Sequence, residues 1–450
     1  YLFQFTFRED GSSKFGADSR WGFFPSVAVG WRISEEPFFP KNSVISNLKF
    51  RASWGQLGNE NALGKYDFLA RISSYNDMYM GYVQGAGSNP WTGSIARALE
   101  NRSLKWETTD TKNIGFDFGL FGNHLNGNIN YYINETRDLL ITRRIAPSAG
   151  LDNPTLNVGK MRNQGFELEL NWNDKINDFE YNVGFNISTI ANKVVALANE
   201  DQTIYGVGLK YGTEHFPTQT KVGKPIGAFY LYQADGIFQS LEEVQAHKNS
   251  KGELLQPNAQ PGDVRFKDMN GDGVIDEDDK TYSGTGIAKV EANLNLGASY
   301  KGFDFSAVIG SAFGNKIYNG IRYYYEGMNS GSNFLKTTLN AWTPTNTKTD
   351  IPRAVFGDPN QNTRESTRFL ENGDFVRLRQ VQLGYTLPKA LSKHIYCESI
   401  RFYVSAENVF TITGYSGANP EFSQGVLNSG IDRFTYPFSR SYTVGAQVSF

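Results

Sequence analysis

The sequence ends in Ser441-Tyr-Thr-Val-Gly-Ala-Gln-Val-Ser-Phe450, and this stretch decides the fold. Its apolar side chains alternate with small and polar ones, which is the pattern of a β-strand with two unlike faces. The apolar face carries Tyr442, Val444, Ala446, Val448 and Phe450. A strand of about ten residues, tilted by about 45°, has the length that crosses a lipid bilayer. The stretch therefore predicts the closing strand of a transmembrane β-barrel.

The same alternation recurs through the chain. About twelve segments show it, near 1–8, 22–34, 46–57, 110–121, 124–142, 163–174, 179–196, 289–300, 303–317, 374–387, 399–413 and 439–450. The apolar face of a soluble β-sandwich meets a second sheet, so the alternation alone does not exclude that fold. Aromatic residues at the segment ends favour a membrane barrel, as do Lys and Arg on the face that would line a wet lumen.

Composition supports a barrel and excludes a helical membrane protein. The chain has 450 residues, of which 39% are hydrophobic and 14% aromatic, and no run approaches the length of a spanning helix. The net charge of -2 gives no reason to expect nucleic-acid binding. A single cysteine, Cys397, excludes an internal disulfide framework. The chain opens in mid-strand without a signal peptide, so we interpret it as the C-terminal portion of a longer outer-membrane protein.

Connection lengths give the barrel an orientation. Short turns at Gly122-Asn123, 174–178 and Lys301-Gly302, with moderate ones at 35–45 and 388–398, lie on one rim. Long connections at 58–109, 143–162, 197–288, 318–373 and 414–438 lie on the other rim. Outer-membrane barrels place long loops outside the cell, so Phe450 is expected on the periplasmic side.

One segment breaks the alternation. Arg377 and Arg379 share parity with the apolar Val381, Leu383 and Tyr385. Either a β-bulge lies near Gln380, or the strand projects above the membrane there.

Several blocks carry a resemblance to a known family. They are Arg8-Glu-Asp-Gly-Ser-Ser-Lys-Phe-Gly16, Trp21-Gly-Phe-Phe-Pro-Ser-Val-Ala-Val-Gly-Trp-Arg-Ile-Ser34, Leu48-Lys-Phe-Arg-Ala-Ser-Trp-Gly-Gln-Leu-Gly-Asn59, Asn157-Val-Gly-Lys-Met-Arg-Asn-Gln-Gly-Phe-Glu-Leu168 and Phe375-Val-Arg-Leu-Arg-Gln-Val-Gln-Leu-Gly-Tyr-Thr-Leu-Pro388. In this order they resemble the SusC/RagA family of TonB-dependent outer-membrane transporters over nearly the whole chain. The resemblance implies an all-β, transmembrane antiparallel barrel of about 22 strands, plugged in its lumen, of which this chain supplies about twelve.

The resemblance also implies a function and partners. Residues 1–450 would be the C-terminal portion of a receptor barrel that imports oligomers, with glycans as the favoured class. Its energy would come from the TonB complex through the missing N-terminal region. A SusD-like lipoprotein would cap the extracellular mouth, with 197–288 and 318–373 as its docking surface. The barrel-assembly machinery would recognise the last strand, with Tyr442, Val448 and Phe450 as its signal. An oligopeptide importer of the same family, a passive porin and a surface adhesin are the alternatives.

A calcium-type loop lies within the long 197–288 excursion. The motif Asp268-Met-Asn-Gly-Asp-Gly-Val-Ile-Asp-Glu-Asp-Asp279 places oxygen-bearing groups at the spacing that a hard cation needs. The expected ligands are Asp268, Asn270, Asp272, the Val274 carbonyl, Asp276 and Asp279. Gly273 would supply the bend, and Ile275 would pin the loop to a neighbour. Asp279 stands where an EF-hand has Glu, and an Asx-rich turn without metal is the alternative.

Candidate substrate contacts lie in the long loops. Aromatic residues there could stack on the C–H faces of sugar rings, or could serve as an interfacial girdle or a partner contact. They are Tyr75, Tyr79, Tyr82 and Trp91 in one loop, and Tyr323, Tyr324 and Tyr325 in another.

The sequence gives little support for enzymatic chemistry. The four histidines have no metal-ligand spacing, and there is no nucleophile elbow or P-loop. Pairs such as Glu167 and Glu169 fit a wet lumen better than general acid–base work. We therefore predict an outer-membrane transporter without catalytic residues.

Overall fold

The computed structural model describes residues 1–40, 44–70, 72–75, 81–82, 91–96, 98–143, 145–198, 202–211, 213–329 and 333–450. Twelve long strands carry the fold. They are β1 (Leu2–Gly11), β2 (Trp21–Arg32), β3 (Ile45–Asn59), β4 (Glu107–Leu120), β5 (Leu125–Arg137), β6 (Gly159–Ile176), β7 (Phe179–Thr189), β8 (Val290–Tyr300), β9 (Phe303–Phe313), β10 (Phe375–Thr386), β11 (Ser399–Thr413) and β12 (Ser441–Ser449). All twelve predicted segments are strands.

Helix is scarce. The helices are α1 (Leu241–Ala246), α2 (Gly320–Tyr325) and α3 (Lys389–Ser392), supplemented by short 3-10 turns. Within the described ranges, no helix has the length and apolarity to span a membrane. Short strands in the connections are Ile72–Tyr75, Gly81–Tyr82, Trp91–Ala96, Leu140–Thr142, Thr155–Asn157, Ala191–Leu197, Ile204–Tyr205, Leu209–Tyr211, Thr213–His215, Thr218–Thr220, Ala228–Leu231, Ala234–Ile237, Val264–Phe266, Thr281–Thr285, Lys316–Asn319, Leu370–Asn372 and Ile431–Asp432.

The chain divides into two compact units. The first comprises residues 1–123, 127–167 and 191–202, and the second comprises 124–126, 168–190 and 203–450. In the first unit, β1 to β5 and the first half of β6 pair in sequence order, and the short strand Ala191–Leu197 also pairs with β6. In the second unit, β7 to β12 pair in sequence order. The long-strand pairings with a described register are antiparallel.

Strand register keeps apolar side chains in rows. In the first unit, one row runs Phe3, Val29, Ala52 and Ile114 across four strands. In the second unit, a row runs through Tyr181, Ala298, Phe305, Leu383, Val404 and Val444. A slip by one residue would move every apolar side chain to the other face, so this pattern specifies the register strongly.

The apolar rows stay exposed. Phe3 is 74% exposed, Phe116 40% and Val444 84%. A β-sandwich would bury these side chains against a second sheet, so their exposure contradicts the soluble sandwich left open by the sequence. The same exposure fits a surface whose solvent is lipid hydrocarbon.

The opposite face is polar and internally bonded. In the first unit, Arg51 pairs with Asp117 at 2.8 Å and donates to Asn130 at 2.9 Å, so it links three neighbouring strands. Lys49 adds a second cation to Asp117 at 3.4 Å. In the second unit, Arg401 pairs with Asp304 across the intervening strand β10. Such a face suits a water-filled or protein-filled lumen.

The short turns agree with the sequence prediction. Lys301 and Gly302 both have positive φ, 45° and 91°, which is the geometry of a tight hairpin that follows the strand twist. Gly122 and Asn123 also have positive φ. In the 174–178 turn, Asn177 has a φ of 55°.

Three predicted strands end earlier than expected. β5 stops at Arg137 because Asp138 has a left-handed φ of 54°, and β9 stops before Gly314, whose φ is 81°. β7 ends at Thr189, and the following short strand 191–197 pairs with β6 instead of extending β7. A residue with a left-handed φ ends a strand, and the alternation of apolar and polar residues does not show where such a residue lies.

The predicted bulge is present in β10. The register shifts between Leu378 and Gln380, and Arg379 is the extra residue relative to β9. On the other side, Arg379 faces two residues of β11, Asn408 and Val409. Above the bulge, Leu378 lies opposite the apolar Ile309, and Arg377 lies opposite Gly310. The bulge therefore returns both arginines to the polar face, as bulges do when they re-aim a side chain.

Candidate functional site

The first group of predicted aromatic contacts is only partly visible. Tyr79 lies outside the described residues, and so do the side chains of Tyr75, Tyr82 and Trp91. The backbone register places Tyr82 opposite Trp91. Their role as substrate contacts stays a prediction.

The second group lies on helix α2. Asn319 caps this helix, because its side chain accepts the Arg322 N–H at 3.1 Å. Tyr323 is 1% exposed and packs with Tyr318 and Phe369 in a hydrophobic core. The prediction that Tyr323 contacts substrate is therefore wrong: its ring fills the core instead, because the helix turns this position inward.

Tyr324 and Tyr325 are only partly buried, and they share a third ring. The Tyr324 ring stacks on Phe434 with centroids 5.8 Å apart, and the Tyr325 ring meets Phe434 edge-on at 5.5 Å. We call Tyr324, Tyr325 and Phe434 the aromatic cluster. Such geometries are the favoured arrangements of aromatic pairs.

Sequence reasoning missed Phe434. Phe434 has a left-handed φ of 61° and is 49% exposed. The buried Asp432 holds this turn, accepting the Thr435 N–H at 3.0 Å and the Tyr415 hydroxyl at 2.6 Å. Burial, with that bond to Asp432, raises the pKa of Tyr415. The signal available in the sequence was the aromatic run at 434, 436 and 438, but nothing there indicates the turn.

A cleft of about 750 Å³ lies beside helix α2. Its walls come from helix α2, from the segment 335–351, from the short strand Leu370–Asn372 and from the segment that follows β11. Asn319, Thr337, Asn340, Asn372 and Ser416 supply neutral polar groups. Ile321, Leu335 and Ile351 supply apolar ones. The volume lies in the range of small-molecule sites.

Arg322 organises the charges of this cleft. It donates to Glu326 at 2.9 Å, to Asp350 at 2.8 Å and to Glu371 at 3.3 Å. Burial alone would lower the pKa of Arg322, but the three carboxylates outweigh burial and raise it. Arg368 also pairs with Glu326, at 3.0 Å, and burial lowers the pKa of Arg368 to about 10.

Glu371 joins two segments of the cleft wall. Its Oε1 accepts from Asn319 Nδ2 at 3.0 Å and from Ser416 Oγ at 2.8 Å. Its Oε2 accepts the Ser416 backbone N–H at 2.8 Å. The polar groups of the cleft are therefore fixed in place by one another.

A second buried charge cluster holds the long loops of the second unit together. Glu365 accepts from Lys280 at 2.5 Å and pairs with His215, and Lys280 also reaches Glu277 at 2.6 Å. Burial alone would raise the pKa of Glu365, but the His215 hydrogen bond and the Lys280 charge hold it at about 2. The three segments that carry these residues are far apart in sequence, so the ion pairs join them. We call Glu365, Lys280, His215 and Glu277 the Glu365 clasp.

The calcium-type loop is held by its own hydrogen bonds. Asp268 accepts the Gly271 and Gly273 N–H groups at 2.7 and 2.9 Å, and the buried Asp279 accepts those of Met269 at 2.6 Å and Asp276 at 2.8 Å. Asn270 and Asp272 accept from the N–H groups two residues further along, those of Asp272 and Val274, each at 2.9 Å.

The expected bend and anchor are present. Gly273 has a φ of 92°, and Ile275 packs against the buried cluster of Tyr232, Val264 and Phe266. In the part of the chain that the structure describes, no three His, Cys, Asp or Glu side chains converge as a ready metal site. The loop carboxylate oxygens keep further acceptor capacity beyond their N–H partners, so the donor set fits a hard oxygen-seeking cation.

The predicted assembly signal lies on β12. Tyr442 lies opposite Ala406, and Val448 lies opposite Ile400. Phe450 follows the strand and is 92% exposed. Recognition by an assembly machine stays a prediction.

Comparison with known proteins gives a consistent result. The family model described as TonB dependent receptor-like, beta-barrel, matches residues 2–409. The TonB-dependent receptor P3 of Formosa agariphila is 31% identical over 459 residues, covering 100% of this chain and 44% of the relative. The TonB-dependent receptor SusC of Bacteroides thetaiotaomicron is 30% identical over 461 residues, covering 100% of this chain and 42% of the relative.

Solved structures agree. The RagAB peptide importer in its closed-closed state matches with a TM-score of 0.79 and 26% identity, over 100% of this chain and 46% of that chain. Its open-open state matches with a TM-score of 0.76 and 25% identity, over 100% of this chain and 45% of that chain. The chain thus spans less than half the length of the curated relatives it matches.

Proposed function

The chain belongs to the family of TonB-dependent receptor-like β-barrels, and on that premise we propose that it imports oligomers across the outer membrane with TonB energy. Membership confirms the predicted outer-membrane barrel fold, and the family consists of transporters and receptors, not enzymes. The observation that carries the proposal is the pairing of an exposed apolar face with an ion-paired polar face along the same strands.

The imported oligomer is proposed to be a glycan. Support comes from the loop aromatic cluster, whose rings suit the C–H faces of sugars. An oligopeptide is the second candidate, and the RagAB likeness at 26% identity favours it. Neither a passive porin nor an adhesin uses TonB energy, and neither alternative explains why the chain belongs to this family.

The proposed partners are those that the resemblance to the SusC/RagA family implies. We propose that a SusD-like lipoprotein docks on the loops 197–288 and 318–373. The Glu365 clasp and the hydrogen bonds of Arg322 to Glu326 and Asp350 hold these loops in one conformation. Coupling to the TonB complex is assigned to a region of the full protein outside this sequence. Calcium in the 268–279 loop would be structural, because the loop oxygens belong to one short turn and lie outside the cleft.

Uptake tests the proposal. The full-length protein and its partner lipoprotein would be expressed in cells that lack them, with or without an intact TonB complex. Fluorescent neutral oligosaccharides and fluorescent peptides of similar size would be supplied separately. Accumulation of oligosaccharide only when TonB is intact is expected. Uptake that persists without TonB would point to a passive porin, and uptake of peptides alone would select the second candidate.

A further inference from the structure

We propose that the cleft beside helix α2 and the aromatic cluster at its rim form one binding site for a neutral saccharide segment. The inference rests on the proposed function only in taking an imported glycan as the ligand. The aromatic cluster would stack on a sugar ring, and the cleft would hydrogen-bond the hydroxyl groups of the neighbouring units.

The aromatic cluster and the cleft are contiguous. Ile321 lines the cleft, and Tyr325 lies four residues further on the same face of helix α2. The Tyr325 carbonyl accepts the N–H of Leu335, which also lines the cleft, at 3.2 Å. Phe434 meets the Tyr325 ring at 5.5 Å. The three rings are not among the residues that line the cleft, but the Tyr325 backbone is bonded to its wall, so the cluster adjoins the polar pocket.

Phe434 is presented to the outside at a conformational cost. A left-handed φ is unfavourable for a residue with a bulky side chain, and such residues cluster at ligand sites when the surroundings hold them in place. Here the surroundings are specific, because the buried Asp432 fixes the turn through Thr435 and Tyr415. The arrangement keeps a half-exposed ring beside Tyr324 and Tyr325.

The charges of the cleft argue against an acidic ligand. Arg322 is already shared among Glu326, Asp350 and Glu371, so the lining carries more negative than positive charge. An acidic sugar or an acidic peptide would meet this excess and be disfavoured. The side chain of Asp350 is 74% exposed, and Asn372 is exposed too, so both can bond a ligand.

Hydroxyl groups match this lining. Each hydroxyl can donate to a carboxylate lone pair and accept from an amide, and the cleft offers both kinds of group at fixed positions. Because the carboxylates are held by Arg322, Asn319 and Ser416, little ordering is left to be done on binding. A polyhydroxylated chain with one ring stacked at the rim is the ligand that uses all of these features.

Calorimetry on the purified full-length transporter with its partner lipoprotein tests the site. The probes are neutral oligomers of starch, cellulose, mannan, xylan and fructan, and a casein digest serves as the peptide probe. At least one glycan is expected to bind, and the variants Phe434→Gly and Asp350→Ala are each expected to lower its affinity by about tenfold. Phe434→Tyr keeps the ring and should bind as the native protein does.

The controls separate lost contacts from lost structure. Phe434→Gly removes the ring while suiting the left-handed φ, so the turn should stay folded. Tyr436→Ala removes an aromatic side chain that is 87% exposed and outside the cluster, and it should leave affinity unchanged.

If Phe434→Gly and Asp350→Ala both bind a glycan as tightly as the native protein does, the proposed site is wrong. The proposal of glycan import would still stand. Binding of peptide but of no glycan, or of no probe, would overturn the substrate class. Since binding needs no TonB energy, either failure is distinct from a failure of transport.

Discussion

The side chain of Arg379 lies directly over Gly310 of the neighbouring strand. A Cβ atom at Gly310 would stand 2.1 Å from Arg379 Nε, so the arginine occupies the space that a side chain would fill. From there it donates to Glu421 at 2.9 Å, while Arg377 donates to the same carboxylate at 2.8 Å. The bulge in β10 and the glycine in β9 together attach the 414–438 segment to the sheet.

Gly310→Ala should therefore displace Arg379 and loosen Glu421. We expect a small loss of stability, at most about 1 kcal/mol, because the flexible Arg379 side chain can move aside and only its partly exposed ion pair with Glu421 is lost. Thermal unfolding in detergent, followed by the heat-dependent shift in gel mobility, measures it. Gly414→Ala is the matched control, because its Cβ would meet no atom within 4 Å. Equal behaviour of the two variants would contradict this account.

The Glu365 clasp should make the loops acid-sensitive. The pKa of Glu365 is about 2 in the folded protein, below its ordinary value of 4.5. The stabilisation is therefore present above pH 4.5 and is lost as the pH falls towards 2; the shift corresponds to about 3 kcal/mol. Lys280 supplies the positive charge, His215 supplies a hydrogen bond, and Glu277 shares Lys280.

Limited proteolysis checks this prediction, with an acid-active protease in the acidic range and trypsin at neutral pH. Native loops should become cleavable as the pH drops through that window. Glu365→Gln should be more susceptible at neutral pH and lose the pH dependence, while the exposed Glu398→Gln should behave as native. A pH profile unchanged by Glu365→Gln would count against the clasp.

Calcium should bind the 268–279 loop and order it locally. Its oxygens would surround the ion at about 2.3–2.6 Å and relieve the repulsion among the carboxylates. Asp268→Ala with Asp272→Ala should loosen the loop and weaken partner or ligand capture, with barrel stability nearly unchanged. Elemental measurement in calcium-containing buffer is the test. Absence of a bound divalent ion would leave the loop as a plain Asx-rich turn.

Deleting Phe450 should impair assembly more than ligand binding by protein already assembled. We expect the last strand to be recognised during insertion, and closure of the sheet pairs backbone groups that lipid cannot satisfy. Outer-membrane levels by quantitative blotting measure assembly, and calorimetry on the inserted fraction measures binding. Normal levels of the truncated protein would mean that Phe450 is no part of the signal.

The sequence predicted the sheet well because apolar and polar residues alternate along most of its strands. Even the bulge at Arg379 was visible in the sequence, because the polar Arg377 falls at the same alternate positions as the apolar Val381. The site was less predictable. The inward turn of Tyr323, the left-handed Phe434 and the pairing of Glu365 with Lys280 all depend on contacts between loops far apart in sequence, and local patterns carry no record of those.

Replacing an apolar-row residue at mid-membrane depth by Arg should cost about 2–4 kcal/mol, because a charge must enter hydrocarbon. Phe116, Leu168 and Val444 are the positions to test, with folding measured in bilayers. Substitution of Lys49 or Glu167 by Leu on the polar face should be milder. If the substitutions on the polar face cost more stability than those in the apolar rows, then the polar face contacts lipid and the apolar rows face the lumen.

The central claim is that the apolar rows contact lipid, and spin labels on the full-length protein in bilayers test it most directly. Labels would be placed one at a time at Phe116, Val444, Lys49 and Gln447. We expect the labels at Phe116 and Val444 to be accessible to oxygen dissolved in the bilayer and shielded from a water-soluble nickel reagent, with the opposite result at Lys49 and Gln447. Exposure of Phe116 and Val444 to the water-soluble reagent would contradict the transmembrane barrel itself.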